Sequence, residues 1–359
     1  MQPPLVAEGV VAKADSGEKP KASESENVFV PLALYTPETH VGLGALYVHI
    51  FRMSPRLVRR LELSRPSSLA FLALGTTRRQ LIFEAHADLY WGNDNVHASG
   101  KLEYQRFPDS FWGIGNEIRD EDEERYQRER ARLRASIEHR IIDALYAGLR
   151  IDAMEFAAQF DDPDGIFATQ DVPGELGGFT LGAGPVVTLD TRDNAVATRD
   201  GAFVQGAFLV FDDLVASDYD FRRLSLDGRL FFPIAQRQAL GLHLYSEFLG
   251  GGVPFYQLAM LGGDELLRGY FLGKYRDKNL LTLEAEFRTP LFWRFGAVTF
   301  IGAGRVAERP IGLASAPLRW AGGGGLRFAL SEEEGLNLRL DVGVGPGTHG
   351  VYFTAREAF

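Results

Sequence analysis

The chain has 359 residues, no Cys, 40 Gly and a formal net charge of −10, with 45% hydrophobic residues. That length admits two soluble domains or one large β structure, and the apolar fraction is ordinary for a globular protein. The acidic balance excludes the basic surplus that a nucleic-acid binder sets against phosphates, and the missing Cys removes disulfides, thiolate catalysis and Cys-ligated zinc.

Residues 1–27 are polar and mixed in charge, with almost no large apolar side chains, and predict a disordered leader. Met1 is followed by Gln2, Pro3 and Pro4, so no signal peptide is read. Crossing a bilayer as a helix takes about 20 apolar residues. The longest uncharged stretch, 248–263, is broken by Gly250, Gly251, Gly252 and Pro254. No transmembrane helix is expected.

From Asn27 onward, short segments alternate apolar and polar side chains between turn residues. In 80–91, Leu81, Phe83, Ala85, Ala87, Leu89 and Trp91 oppose Gln80, Ile82, Glu84, His86, Asp88 and Tyr90. The stretch 121–134 has the charge density of a solvated helix. Yet Ala131, Leu133, Ala135 and Ile137 alternate strictly with Arg130, Arg132, Arg134 and Ser136, which predicts a strand over 128–141 and a loop over 117–127. Leu224, Leu226 and Leu230 oppose Arg223, Asp227 and Arg229. Leu281, Leu283, Ala285 and Phe287 oppose Thr282, Glu284, Glu286 and Arg288; Leu338, Leu340 and Val342 oppose Asn337, Arg339 and Asp341. Period two over such lengths means strands. The full set predicted is 28–36, 40–53, 66–77, 80–91, 95–107, 128–141, 143–157, 178–190, 201–211, 220–233, 237–249, 278–289, 295–306, 317–329, 335–345 and 350–359.

An even number of strands, each long enough to cross a bilayer at a tilt, matches a transmembrane β-barrel. A soluble sandwich or propeller is the competing architecture. Full charges of both signs at mid-strand, among them Arg223, Asp227, Glu284, Glu286, Arg339 and Asp341, fit a wet, ion-paired lumen better than a sandwich's solvent face. The expected fold is therefore all-β: a sixteen-stranded antiparallel transmembrane barrel over 28–359.

Within 254–288 the text PFYQLAMLGGDELLRGYFLGKYRDKNLLTLEAEFRTPL resembles the BamA/TamA family of outer-membrane barrels, the bacterial surface antigen family. The resemblance implies an extracellular loop, here near 254–277, folded back into the lumen with an Arg-Gly-aromatic tip. Arg268, Gly269 and Tyr270 stand in those places, after Gly262 and Gly263. It further implies two lumen acids for this Arg, one on each of the next two strands. Glu286 matches the first; Phe300-Ile301-Gly302-Ala303-Gly304 carries Gly302 where the second acid belongs, which leaves Glu284 or another lumen acid to replace it. An Arg on a solvated loop tip is the plain alternative. Asp190–Asn194 is similar to a family turn, and Trp112–Asn116 to a loop motif of its smaller members. Val351–Phe359, with Phe353 and Phe359, is similar to the terminal-strand signal read by the outer-membrane assembly machinery. Twenty-seven polar residues cannot form a POTRA domain, so the likeness is to the short, POTRA-less type.

Other motifs carry less. Gly322–Gly325 lies inside a strand pattern rather than before a helix. The seven His show no metal-ligand spacing, Asp161–Gly165 lacks the rest of a calcium loop, and no nucleophile elbow or dinucleotide fingerprint is present. Neither metal, cofactor nor enzymatic activity is expected. Aromatic residues at strand ends, Tyr90, Trp91, Phe111, Trp112, Phe292 and Trp293, suit interfacial girdles. What the resemblance implies is an outer-membrane protein that assists insertion or passage of polypeptide or lipid through a weak seam between first and last strands. Its expected partners are outer-membrane lipids, the machinery that inserts it and unfolded outer-membrane clients. A passive solute pore and a membrane anchor for a periplasmic partner held through 1–27 are the alternatives.

Overall fold

The computed structural model describes residues 25–36, 40–51, 65, 67–77, 79–195, 197–235, 237–331, 336–355 and 357–359. The expected leader lies, up to residue 24, outside them. The elements in chain order are β1 (Glu26–Thr36), β2 (His40–Phe51), β3 (Ser67–Thr76), β4 (Leu81–Trp91), β5 (Val96–Phe111), β6 (Glu124–Ile142), β7 (Leu145–Phe160), β8 (Gly178–Asp190) and β9 (Gly201–Phe211). There follow β10 (Phe221–Ala235), β11 (Gln238–Gly251), a hairpin of β12 (Ala259–Leu261) and β13 (Tyr275–Asp277), then β14 (Asn279–Pro290), β15 (Phe295–Ala307), β16 (Arg319–Ser331), β17 (Leu336–Gly345) and β18 (Thr348–Ala355). Among the described residues, all but β12 and β13 join one sixteen-stranded sheet in strict chain order, every ladder antiparallel.

Each strand puts one set of side chains outward and the other into a polar lumen, as period two requires. Outward lie Phe83, Leu133, Ile137, Leu226, Leu283, Ile301 and Val342, all exposed. Inward lie Glu103, Asp152, Arg223, Glu284, Glu286, Arg339 and Asp341, all buried. Water must be absent outside for the first set and ion pairs present inside for the second. This is the transmembrane barrel geometry, with the polar face rolled inward.

An even number of antiparallel crossings puts Glu26 and Ala355 at the same end. The connections 112–123, 161–177, 212–220, 252–278 and 308–318 lie at the other. The end bearing the termini has short turns, such as 92–95, and the wider 191–200 connection.

Several expectations shift. β5 and β6 extend as a tall hairpin beyond the expected bounds, with Phe111 registered against Glu124, so 124–127 is strand rather than loop. The last strand ends at Ala355, not 359, because the tail turns into the lumen and buries Ala358 and Phe359 beside Phe231. Tyr90, Phe111 and Trp112 are buried rather than girdle residues: Tyr90 and Phe111 lie on the lumen faces of β4 and β5, and Trp112, just past β5, packs against Phe271 of the 252–278 connection. Phe292 and Trp293 do project outward, from the 291–294 turn.

One stretch departs from the polar lumen. On the inner face of β1–β3, Val28, Val30, Leu46, Val48, Ile50, Ala70 and Leu72 form an apolar cluster, and Leu338 of β17 packs against it. Among the described residues no ladder joins β18 to β1. Leu338, one strand in from the terminal edge, reaches across to the β1–β3 cluster by side-chain packing.

If the outer face contacts lipid, Leu283→Arg at mid-β14 should destabilise the folded protein by about 2–4 kcal/mol. Denaturant unfolding in lipid vesicles measures it, and an unchanged midpoint would remove the lipid-facing assignment.

Candidate functional site

The connection 252–278 does not extend away from the barrel; its apolar content drives it inside. Phe255, Tyr256, Leu258, Ala259 and Leu261 are buried in one cluster with Phe111, Tyr126, Phe156 and Phe167. The ring of Tyr256 stacks on Phe156 at 4.1 Å, and Phe255 packs edge-on against Phe111 at 5.4 Å. Such pairs add to the burial of their area. The Phe255 N–H donates to Pro173 O at 2.7 Å, and Gln257 Nε2 donates to Thr180 Oγ1 at 2.7 Å, so the buried turn keeps its polar groups paired. Farther along, Gly115 N–H donates to Arg276 O at 2.8 Å and Trp112 packs against Phe271 at 5.2 Å. The Trp112–Asn116 motif thus braces the infolded loop, while the 190–194 motif lies at the opposite end, where Asp190 binds Arg192 and Arg65.

At the loop's tip, Arg268 is 1% exposed. Its Nη2 lies 2.6 Å from Glu286 Oε2 and 3.4 Å from Glu284 Oε2, and its Nη1 donates to Asp341 Oδ2 at 2.7 Å. The guanidinium also lies over the Phe300 ring, 3.6 Å from its centroid. A guanidinium out of water is tolerated only with such partners, and the planar fork meets carboxylates on β14 and β17 together. Gly302 serves a spatial purpose: a Cβ there would lie 2.6 Å from Glu284 Cγ, so the missing side chain is what admits Glu284 beneath the tip. Glu284 in turn accepts the Leu267 N–H.

Gly269 has φ +117°, which disfavours any other residue, and it touches the backbone of Gly343. A Cβ on Gly343 would lie 2.4 Å from Arg268 O. The Gly269 N–H donates to Tyr352 Oη at 2.9 Å, and Thr348 Oγ1 donates to Gly269 O at 2.7 Å. The Tyr270 ring packs edge-on against Tyr275 at 5.9 Å. The tip therefore rests on β17 and β18, the strands at the sheet's terminal edge.

The cluster continues to the tail. Glu286 Oε1 accepts from Arg288 Nε at 2.8 Å, and Arg288 Nη2 donates to Phe359 O at 2.7 Å. Asp341 also binds Arg327, whose Nε donates to Glu357 Oε2 at 2.7 Å. Phe359 is buried with its ring 4.9 Å from His243, whereas Phe353 stays in β18, half-buried. Hence loop tip and tail share Glu286 and Asp341.

Sequence reasoning named Arg268, Glu286 and Glu284, which meet here, but not Asp341 as a partner of Arg268. Its place on the polar face of its strand was visible, yet nothing in spacing ties it to a tip 73 residues earlier. Phe300 and the tail contacts of Arg288 and Arg327 were likewise hidden. Among the described residues the grouping able to hold a cation is Asp212, Asp213 and Asp220, on the 212–220 connection, where the neighbouring Asp212 carboxylate, accepting a hydrogen bond from protonated Asp213, pushes the Asp213 carboxyl up.

These features define a class: an outer-membrane barrel whose lumen is occupied by an infolded loop held by a buried Arg. The Omp85 superfamily domain matches residues 69–352, and the chain belongs to that superfamily. It is an outer-membrane protein. No curated protein matches it. Its fold is similar to BamA from Haemophilus ducreyi lacking POTRA domains 1–3 (TM-score 0.56, 12% identity, covering 94% of this chain and 70% of that one). Similar too are CdiB from Escherichia coli (TM-score 0.59, 13% identity, 92% of this chain) and CdiB from Acinetobacter baumannii (TM-score 0.57, 11% identity, 92% of this chain). The chain spans 61% and 59% of those two CdiB chains.

Arg268→Ala leaves Glu284 without an ion-pair partner among the described residues and takes one of their arginines from Glu286 and Asp341, and should cost about 3–5 kcal/mol. Glu286→Gln should also destabilise, and the double variant should lose less than the sum of the two. Additive losses in denaturant titrations would mean that the pair does not interact. Gly343→Ala should cost about 1–3 kcal/mol by overpacking and make the 262–272 segment more susceptible to added protease. Wild-type resistance in that variant would show that the tip does not rest on β17.

Proposed function

We propose that the protein assists the insertion or passage of polypeptide or lipid at the outer membrane, using the seam between β1 and β18. The observation that carries this reading is the seating of the Arg268–Gly269–Tyr270 tip on β14, β17 and β18, beside the sheet's terminal edge. A loop clamped there braces the last strands from inside while their outer edge is left free of a ladder to β1 among the described residues. Backbone groups on such an edge are donors and acceptors that an incoming strand can satisfy. The apolar inner face of β1–β3 presents a surface on the same seam that suits acyl chains or the apolar face of a strand. On this reading unfolded outer-membrane proteins and lipids are the partners, the Arg268 cluster acts as the lock on the loop, and the 351–359 segment carries the signal for the protein's own insertion. The mechanism needs no bond made or broken by a side chain.

The passive-pore alternative meets the aromatic packing of Phe111, Phe156, Phe255 and Tyr256, which fills the lumen at the loop end. Planar bilayers should show little conductance from the intact chain and a large increase when 254–277 is deleted. High conductance from the intact chain would favour the pore.

Reconstitution into liposomes with an unfolded outer-membrane barrel tests the main reading. Faster insertion than into empty liposomes is expected, with Arg268→Ala altering that rate; insertion no faster than the blank would overturn the proposal.

A further inference from the structure

At the end of the lumen that carries the termini, away from the aromatic loop core, a cavity of about 400 Å³ lies against the inner wall of β4–β9. That volume is within the range of sites that hold small molecules. Its lining includes Lys101, Arg134, Arg150 and Arg192, with Asp88 and Asp190 as the lining carboxylates. Both of those acids are engaged: Asp88 with His97 at 2.5 Å, and Asp190 with Arg192 at 2.9 Å and Arg65 at 2.7 Å.

The cations of β5–β7 are short of carboxylates. Lys101 and Arg134 stand directly opposite each other in the β5–β6 ladder, a like-charge pairing that works against the sheet. Glu103 is shared by Lys101 at 2.8 Å, Arg134 at 3.4 Å and Arg130 at 3.6 Å, and Glu84 adds only a 3.4 Å contact to Lys101. The Arg134 side chain is 45% exposed to the cavity. Arg150 has no carboxylate within ion-pair distance among the described residues; its Nη2 donates to Gln205 Oε1 at 2.7 Å. Glu138, one pair away on β6, is 1% exposed and hydrogen-bonds Ser136, so it lowers the local potential without offering Arg150 a contact. Guanidinium groups with free donors, an ammonium and the Ser99 and Ser136 hydroxyls converge on one space.

We propose that this chamber is an anion site for a phosphate group, with Arg150 and Arg134 as its principal ligands and Lys101 supporting them. Forked guanidinium donors match phosphate oxygens, and a phosphate there relieves the Lys101–Arg134 opposition. The site lies apart from the Arg268 cluster and does not depend on the function proposed above. The phosphate has two possible sources, a soluble one or the headgroup of a lipid.

Titration calorimetry of the full chain in detergent, with inorganic phosphate and separately with short-chain phosphatidic acid, tests the proposal. Binding of inorganic phosphate identifies a soluble-phosphate site; binding of phosphatidic acid alone identifies a headgroup site. In either case Arg150→Gln should weaken binding by at least about tenfold, the loss of one charged hydrogen bond. Arg134→Gln should act in the same direction, and Arg150→Lys, which keeps the charge but not the fork, should bind more weakly than the wild type and more tightly than Arg150→Gln. Heat-modifiable gel mobility establishes that each variant is folded. Absence of binding by both probes, or affinity unchanged in folded Arg150→Gln and Arg134→Gln, would overturn it.

Discussion

The burial of one guanidinium organises the interior of this barrel. Arg268 has left water entirely, and its charge is held by Glu286, Asp341 and Glu284 with the Phe300 ring beneath. An ion of that kind is costly wherever it is not fully met, so the geometry around it is narrowly set. Three strands must stand in fixed register to bring those groups together: β14 supplies two acids, β17 the third, β15 the aromatic face and the glycine that admits Glu284. The close glycine contact between Gly269 and Gly343 follows, because the tip can reach the acids only by lying against β17.

The same carboxylates carry a second duty. Glu286 and Asp341 each bind another Arg, and those two arginines hold the tail at Phe359 and Glu357. Loop tip and tail therefore belong to one electrostatic network, although they approach from opposite ends of the lumen. A change at either end alters the charge balance felt at the other, which gives the terminal edge of the sheet a physical link to the loop above it. Charge in the opposite half of the lumen is arranged differently. There the row Arg128, Arg130, Arg132 and Arg134 on β6 exceeds the acids available to it at one end, and the surplus borders open space rather than a packed loop.

Much of the architecture was legible in the order of residues. Strict alternation in Leu281–Arg288 or Leu336–Val344 can be satisfied only by an extended chain with unlike surroundings on its two faces, and mixed charges at mid-strand said which face was wet. Where both faces are apolar, as in β1–β3, alternation says little; only the fold shows Val30, Leu46 and Val48 turned inward against Leu338. Strand ends were misjudged where tertiary contacts, not pattern, set them: the β5–β6 hairpin is lengthened by packing against the loop core, and β18 is cut short by the seating of Phe359.

The number and direction of the barrel strands and the membrane-facing stripe were legible in local periodicity, and the Arg-Gly-Tyr tip with Glu286 and Glu284 as candidate acids in the contiguous motif that carries the family resemblance. Only the tertiary structure decided that Asp341 completes the Arg268 cluster, that Gly302 makes room instead of supplying charge, that the tail enters the lumen and that Lys101 faces Arg134. Those outcomes depend on register between strands distant in the chain. Register is settled by the packing of whole faces and not by the composition of any one segment.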